Sequence, residues 1–287
     1  MVMGITTIHI AKNRMFGIEM KEQISLLIST CGDGIINIEN VFKNIIDIKP
    51  EIIIVHQLLN NSDLQSYKVA RDSLVEKYKN IKIVVDEGKG LSRSRNIAIK
   101  NATRKWCFIS DDDNVYDLSA MLKLIVCAEN ENVDIALGRI AATDEIDYKN
   151  YSKYRKAVTL LNATGVSSIE ICINRDVFLN SGLCFRESFG LGALYPSCEE
   201  FIMIADALKA GLKIKRFPEY ITRHPLESSG KNIENKDILK AKGKAFKLVF
   251  GEVLGVLAIC FFSFKNARPH KSGFNRFTSM FKVMNSK

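Results

Sequence analysis

Short apolar runs recur through the first half of the chain, each bounded by polar residues and separated by helix-length spacers. Ile24 to Ile28 precedes a small polar turn, Ser29 to Gly34, and Ile52 to Val55 ends in His56-Gln57. Ile81 to Val85 leads into a glycine-rich turn, and Trp106 to Ile109 stops abruptly at Asp111, Asp112 and Asp113. Runs of this length, rich in β-branched residues, predict strands buried on both faces. Between the first two, Ile38, Val41 and Ile45 recur at helical spacing, which predicts a helix from Ile35 to Ile46. The resulting β-α-β-α-β order predicts an α/β fold on a parallel, doubly wound sheet.

The second half continues the alternation. Val133 to Ile140, Ile169 to Asn174 and Lys213 to Phe217 predict further strands. Phe201, Ile204, Ala205 and Leu208 mark the buried stripe of a helix, with Gly211 as its C-terminal cap.

An apolar content of 47% and a charged content of 25% describe an ordinary globular protein. The seven cysteines form no CxxC pair and predict reduced thiols in a cytoplasmic protein, with neither a disulfide frame nor a zinc site. Lys12, Arg14, Glu19 and Lys21 break up the N-terminal segment, so no signal peptide is expected. The net charge of +9 is concentrated at one end: from Ala241 onward nine Lys/Arg face one acid, Glu252, which accounts for +8. The body is nearly neutral, which argues against a nucleic-acid-binding face.

Three sites carry candidate chemistry. Consecutive carboxylates at a strand end repel one another unless a cation compensates, and hard divalent ions such as Mg²⁺ or Mn²⁺ bridge carboxylates to phosphates. The alternative for Asp111 to Asp113 is an acidic turn capping the next helix. Before that strand, Gly88-Lys-Gly90-Leu-Ser92-Arg-Ser-Arg-Asn96 sets a glycine-rich turn at a helix start, with Ser92 as a possible cap and Lys89, Arg93 and Arg95 close by. Such a start suits a phosphate. The third site is Ser197-Cys-Glu-Glu200, where two carboxylates open a helix. Its spacing also fits a capping box, with Glu200 bonding back to the Ser197 amide.

The order of these parts resembles the family 2 glycosyltransferases of GT-A fold: a Thr30-bearing turn, the segment from Gly88 to Asn96, then a strand ending in Asp111 to Asp113. The resemblance spans about Ile24 to Lys231. It implies a mostly parallel GT-A domain over 24–231, divided into a nucleotide-sugar half (24–115) and an acceptor half (116–231). An N-terminal extension (1–23) and a basic, apolar C-terminal segment (232–287) flank it. It also implies metal-dependent, inverting transfer from a nucleoside diphosphate sugar, a UDP-sugar being favoured. Asp113, with Asp111 and His224, would hold Mn²⁺ or Mg²⁺. Thr30, Gln57, Lys89, Arg93, Asn96, Asp111 and Asp112 would contact the donor. Glu200 would be the general base, with Glu199 as the alternative, and the helix start would keep Glu200 ionised. Two departures stand out: His56-Gln57 replaces the family's usual Asp after the second strand, and Glu-Glu replaces Glu-Asp.

Toward the C-terminus, Leu248 to Phe264 holds seventeen residues with one charge, short of the about twenty that span a bilayer. Beyond it Phe274, Phe277, Phe281 and Met284 share a helical face with Arg276 and Lys282 nearby. This predicts peripheral attachment to the cytoplasmic face of a membrane, and hence a glycan or lipid-linked acceptor in bacterial surface polysaccharide synthesis. The alternatives are a helix packed on the body or an oligomer contact. Two rival functions are a nucleotidyltransferase of similar fold and a non-catalytic glycan-binding scaffold.

Overall fold

The computed structural model describes residues 22–58, 63–142, 147–152, 154–225 and 235–265. Most of the expected N-terminal extension, the loop with Ser228, Ser229 and Lys231, and the phenylalanine-rich stretch from Phe274 to Met284 lie outside them. The chain runs β1 (Ile24–Cys31), α1 (Glu39–Phe42), β2 (Glu51–Gln57), α2 (Leu64–Lys77), β3 (Ile81–Asp86), α3 (Leu91–Asn101) and β4 (Trp106–Ser110). It continues β5 (Val115–Tyr116), α4 (Leu118–Asn130), β6 (Ile135–Ala142), β7 (Lys156–Ala157), β8 (Ile171–Asn174), α5 (Arg175–Asn180), α6 (Glu199–Lys209) and β9 (Ile214–His224). Two last helices follow, α7 (Lys236–Phe250) and α8 (Glu252–Lys265).

One nine-stranded sheet has the order β3-β2-β1-β4-β8-β6-β9-β5, with β7 also paired to β9. Its long pairings, β1 with β2 and β4, β2 with β3, and β6 with β9, are parallel. The antiparallel pairings, β4–β8, β6–β8, β5–β9 and β7–β9, are short. The sheet is therefore mostly parallel, as the alternation of runs implied. Side chains alternate across it: Leu27, Ile53, Cys107 and Ile109 enter one core, and Leu26, Ile52, Trp106 and Phe108 enter the other. α2 and α4 cover the second core, while α3, α6, α7 and α8 contribute to the first.

Several boundaries differ from the apolar runs. β1 extends through Thr30 to Cys31, β2 takes in His56 and Gln57, and β9 runs on to His224. Polar side chains end an apolar run without ending a strand, because the backbone ladder continues wherever a neighbouring strand offers partners. The helix expected from Ile35 to Ile46 is broken into a 3₁₀ turn, the four residues of α1 and another 3₁₀ turn.

The apolar C-terminal run is also divided. Gly251 adopts φ 81°, which ends α7 and lets α8 double back on it. Gly255 makes the pairing possible, since a Cβ there would meet the Lys247 Cα at 2.7 Å. Phe246 and Val249 of α7 and Ile259 of α8 are buried in the same core as Phe201 and Ile202 of α6.

Candidate active site

The expected donor and acid–base residues gather where the parallel strands end and α3 and α6 begin. β4 delivers the aspartate triplet there, and the alternative role for these residues is filled elsewhere. Asp117 caps α4, accepting from the Ala120 amide at 2.8 Å.

The three aspartates face three directions. Asp111 accepts from Arg95 Nη2 (3.0 Å) and from Ser168 Oγ (3.0 Å). Asp112 accepts from Thr30 Oγ1 at 2.6 Å. Burial pushes the Asp112 carboxyl up, the Thr30 bond offsets part of this, and the neighbouring aspartates add to the rise. Gly34 covers the pair so closely that a Cβ would lie 2.1 Å from the Asp112 Oδ2. Asp113 meets His224 Nε2 at 3.1 Å, and His224 Nδ1 contacts the Pro225 carbonyl at 2.6 Å. The His224 contact holds Asp113 below its ordinary range, and Asp113 in turn raises His224. The Tyr148 ring stands edge-on to His224 at 5.5 Å.

This geometry tests the donor set for a divalent cation. Asp113 and His224 already converge, and the Nδ1 contact to Pro225 favours a tautomer with Nε2 as the ligating atom. Asp111 is turned away to Arg95 and does not join them. No group of three or more His, Cys, Asp or Glu able to hold a metal occurs among the described residues. Two side chains still fit a hard cation that completes its shell with water and substrate phosphate.

Arg95 is the residue at the centre of this cluster, and the motif reading placed it only in the background. It is 1% exposed and reaches Asp111, Glu199 Oε1 (3.1 Å) and Glu200 Oε1 (3.4 Å), with its guanidinium 5.5 Å from the Phe185 ring centroid. Burial opposes its charge, but Asp111, Glu200 and Glu199 outweigh burial and raise its pKa. A signal for it exists in the sequence. Ala98 and Ile99 lie among the apolar residues at the end of α3, and Arg95 lies three and four residues before them on the same face.

One guanidinium cannot balance three carboxylates, and the deficit falls on Glu200. Burial first, then the Glu199 charge, push Glu200 up to about 8, against a lowering influence from Arg95. The expectation that the helix start keeps Glu200 ionised is therefore reversed: desolvation outweighs the helix terminus. The capping box does not form at α6 either. Its N-cap is Cys198 in a left-handed conformation (φ 77°) with no side-chain cap, and the Ser197 amide donates to the Tyr195 carbonyl.

The residues expected around the donor phosphates separate into two groups. Lys89 is exposed, one residue before the Gly90 that caps the start of α3. The others hold the walls. Gln57 donates to Asp86 (2.9 Å) and to the Gly90 carbonyl (3.2 Å), and accepts from the Gly90 amide (3.2 Å). Arg93 forks onto Asp86 through Nε and Nη2. Asn96 donates to the Phe185 carbonyl and accepts from its amide, both at 2.8 Å. Ser92 sits inside α3 rather than at its cap, donating to the Phe189 carbonyl at 2.6 Å. His56 is buried against the Gly32 carbonyl (2.9 Å) and Arg71 (3.1 Å).

A model of glycosyl transferase family 2 matches residues 25–185, just over half of the chain. The chain belongs to the family 2 glycosyltransferases. The match contains the donor turn, Arg95 and the aspartate triplet and stops before the glutamate pair and His224. Among solved structures, this glycosyltransferase resembles S. aureus TarS 1-349 with a TM-score of 0.60 at 14% identity, covering 92% of this chain and 81% of that one. The TarS 1-349 complex with UDP-GlcNAc gives a TM-score of 0.59 at 15% identity, over 92% and 72%. GalNAc-T7 with UDP, GalNAc and Mn²⁺ gives 0.61 at 11%, over 92% and 54%. At these identities the likeness establishes the GT-A fold. No curated protein matches the sequence.

Proposed function

We propose that this glycosyltransferase moves a sugar from a nucleoside diphosphate sugar, favouring a UDP-sugar, to a hydroxyl of a glycan or lipid-linked acceptor with inversion. The observation that carries the reading is the Arg95 cluster. It joins the end of the aspartate strand to the paired glutamates, so donor and proton-transfer groups share one electrostatic unit. Similar structures support the donor class, since TarS is held with UDP-GlcNAc and GalNAc-T7 with UDP.

In this reading Thr30, Asp112 and Lys89 face the donor, while Gln57, Arg93 and Asn96 hold the turns that form its pocket. Glu200 removes the acceptor proton as the acceptor oxygen bonds to the anomeric carbon. The bond from that carbon to the diphosphate oxygen breaks in the same displacement. A base whose pKa lies near the working pH is well matched to that task, worth about 10²–10⁴-fold in rate. Arg95 positions the glutamates and limits how far the Glu200 pKa rises. Asp113 and His224 would hold Mn²⁺ or Mg²⁺, which when bound supplies Lewis-acid stabilisation of the departing diphosphate.

Attachment to the cytoplasmic face of a membrane, and a role in bacterial surface polysaccharide synthesis, complete the proposal. They rest on the basic, apolar C-terminal segment. Full-length protein incubated with Mn²⁺ and a panel of nucleotide sugars should release nucleoside diphosphate, slowly without acceptor. Release of pyrophosphate would indicate nucleotidyl transfer, and no metal-dependent response to any donor would overturn the reading.

A further inference from the structure

Resting on the sugar-transfer reading, we propose that the outer face of α8 and the tip of the loop before α6 form one surface that seats on an anionic bilayer. The paired glutamates then open toward the headgroup layer, and the acceptor reaches them from the membrane.

The inner face of α8, with Gly255, Ile259 and Ser263, is buried against the body. Its outer face carries Val253, Leu254, Leu257, Phe261 and Phe264, all exposed, with Phe264 84% exposed. Their spacing places them along one side of the helix. No charged residue interrupts α8 between Glu252 and Lys265. A continuous exposed apolar stripe of this kind marks an interaction surface.

The stripe ends beside the active site. The Phe262 ring stands 5.8 Å from the Phe246 ring of α7, which in turn stands 5.9 Å from the ring of Phe201, the residue after Glu200. The far end of α8 is therefore joined to the start of α6 through one run of aromatic contacts. From another side the loop before α6 reaches the same turn: a Cβ on Gly190 would meet the Glu199 Cδ at 3.2 Å. The tip of that loop carries Leu191 and Leu194, both exposed. Apolar side chains thus flank the start of α6 on both approaches.

Charge selects lipid over a second copy of the chain. Beside the stripe, α7 carries Lys236, Lys240, Lys242, Lys244 and Lys247 against the single acid Asp237, a balance that would repel an identical surface and attract anionic headgroups. No helix of the described residues is long and apolar enough to cross a membrane, so the contact is interfacial.

Flotation of the full-length protein with vesicles tests this. It should bind anionic phospholipid vesicles, bind neutral ones far less, and release with added salt. A Leu257→Asp, Phe261→Asp double variant should lose roughly tenfold or more of this partitioning, because exposed apolar area no longer enters lipid. Its melting temperature and its donor hydrolysis in solution should stay unchanged. Trp106 is the single tryptophan and is buried, so Phe261→Trp and Leu194→Trp report locally; both should shift to the blue on anionic vesicles.

Three results would overturn the proposal. One is wild-type protein that ignores anionic vesicles. Another is a blue shift at position 261 without one at 194, which would turn the entrance away from the bilayer. The third is a wild-type dimer that the double variant converts to monomer without loss of vesicle binding. Donor hydrolysis is read separately: its absence alongside intact vesicle binding would sink the sugar-transfer reading and leave this surface standing.

Discussion

Replacing Arg95 with methionine should destabilise the protein by a large amount that grows with pH. Arg95 is 1% exposed and is the shared partner of Asp111, Glu199 and Glu200. Removing one partner of a buried ion pair costs about 3–5 kcal/mol, because the remaining charges stay desolvated and uncompensated. Asp111 is 32% exposed, so solvent screens its share and the lower end, about 3 kcal/mol, is expected. For a chain of this size that corresponds to a fall of roughly 6–12 °C in melting temperature. The sign with pH follows from Glu200, whose folded-state pKa lies near 8, above its ordinary 4.5. A raised carboxyl pKa means the folded state binds the proton more tightly. Its penalty is absent below the unfolded value, builds as pH rises between the two values and is complete above the folded one. Without Arg95, the charge that lowers Glu200 is lost and its pKa rises further. Urea midpoints and thermal melts followed by circular dichroism at about pH 5.5 and about pH 8.5 measure the difference. A loss under about 1 kcal/mol, or an equal loss at both pH values, would refute the shared-counter-ion argument.

Glu200→Gln should abolish transfer, by about 10²–10⁴-fold in kcat, and should raise stability above pH 8 because a buried charge is gone. Rate assays and melts of one preparation check both halves. His224→Ala should weaken Mn²⁺ binding in the presence of UDP. Wild-type Mn²⁺ affinity, read by titration calorimetry, should rise with pH through the raised His224 pKa, because the metal competes with that proton. Gly34→Ala drives a methyl into Thr30 and Asp112 and should raise the donor KM while lowering the melting temperature; an unchanged KM would remove that turn from the donor site.

The parallel half of the sheet was legible because buried strands leave uninterrupted apolar runs. That the aspartate triplet stands at a strand end was legible because an apolar run stops abruptly where it begins. What escaped did so for physical reasons. His56, Gln57 and Thr222 to His224 are polar residues on strands, where backbone pairing alone keeps them in the ladder. Gln57, Arg93 and Asn96 have the chemistry of donor contacts, yet each bonds to the protein itself, a choice made by neighbours far away in sequence. Asn96 meets Phe185 across 89 positions. Arg95 reads as one of several basic residues until burial separates it from the exposed Lys89. The left-handed Cys198 denied α6 the capping box that its spacing promised.

The break at Gly251 has a practical consequence for handling the enzyme. Because α7 and α8 line the same core as α6, the C-terminal helices are a wall of the catalytic body as well as its outer face. Cutting them away to obtain a freely soluble enzyme would expose Phe201 and loosen the helix that presents Glu200. Solubility is better sought by recolouring the outer stripe of α8 residue by residue, leaving its inner seam intact. Any natural variation in how this enzyme meets its surroundings is confined in the same way, to one side of a helix whose other side must go on supporting catalysis.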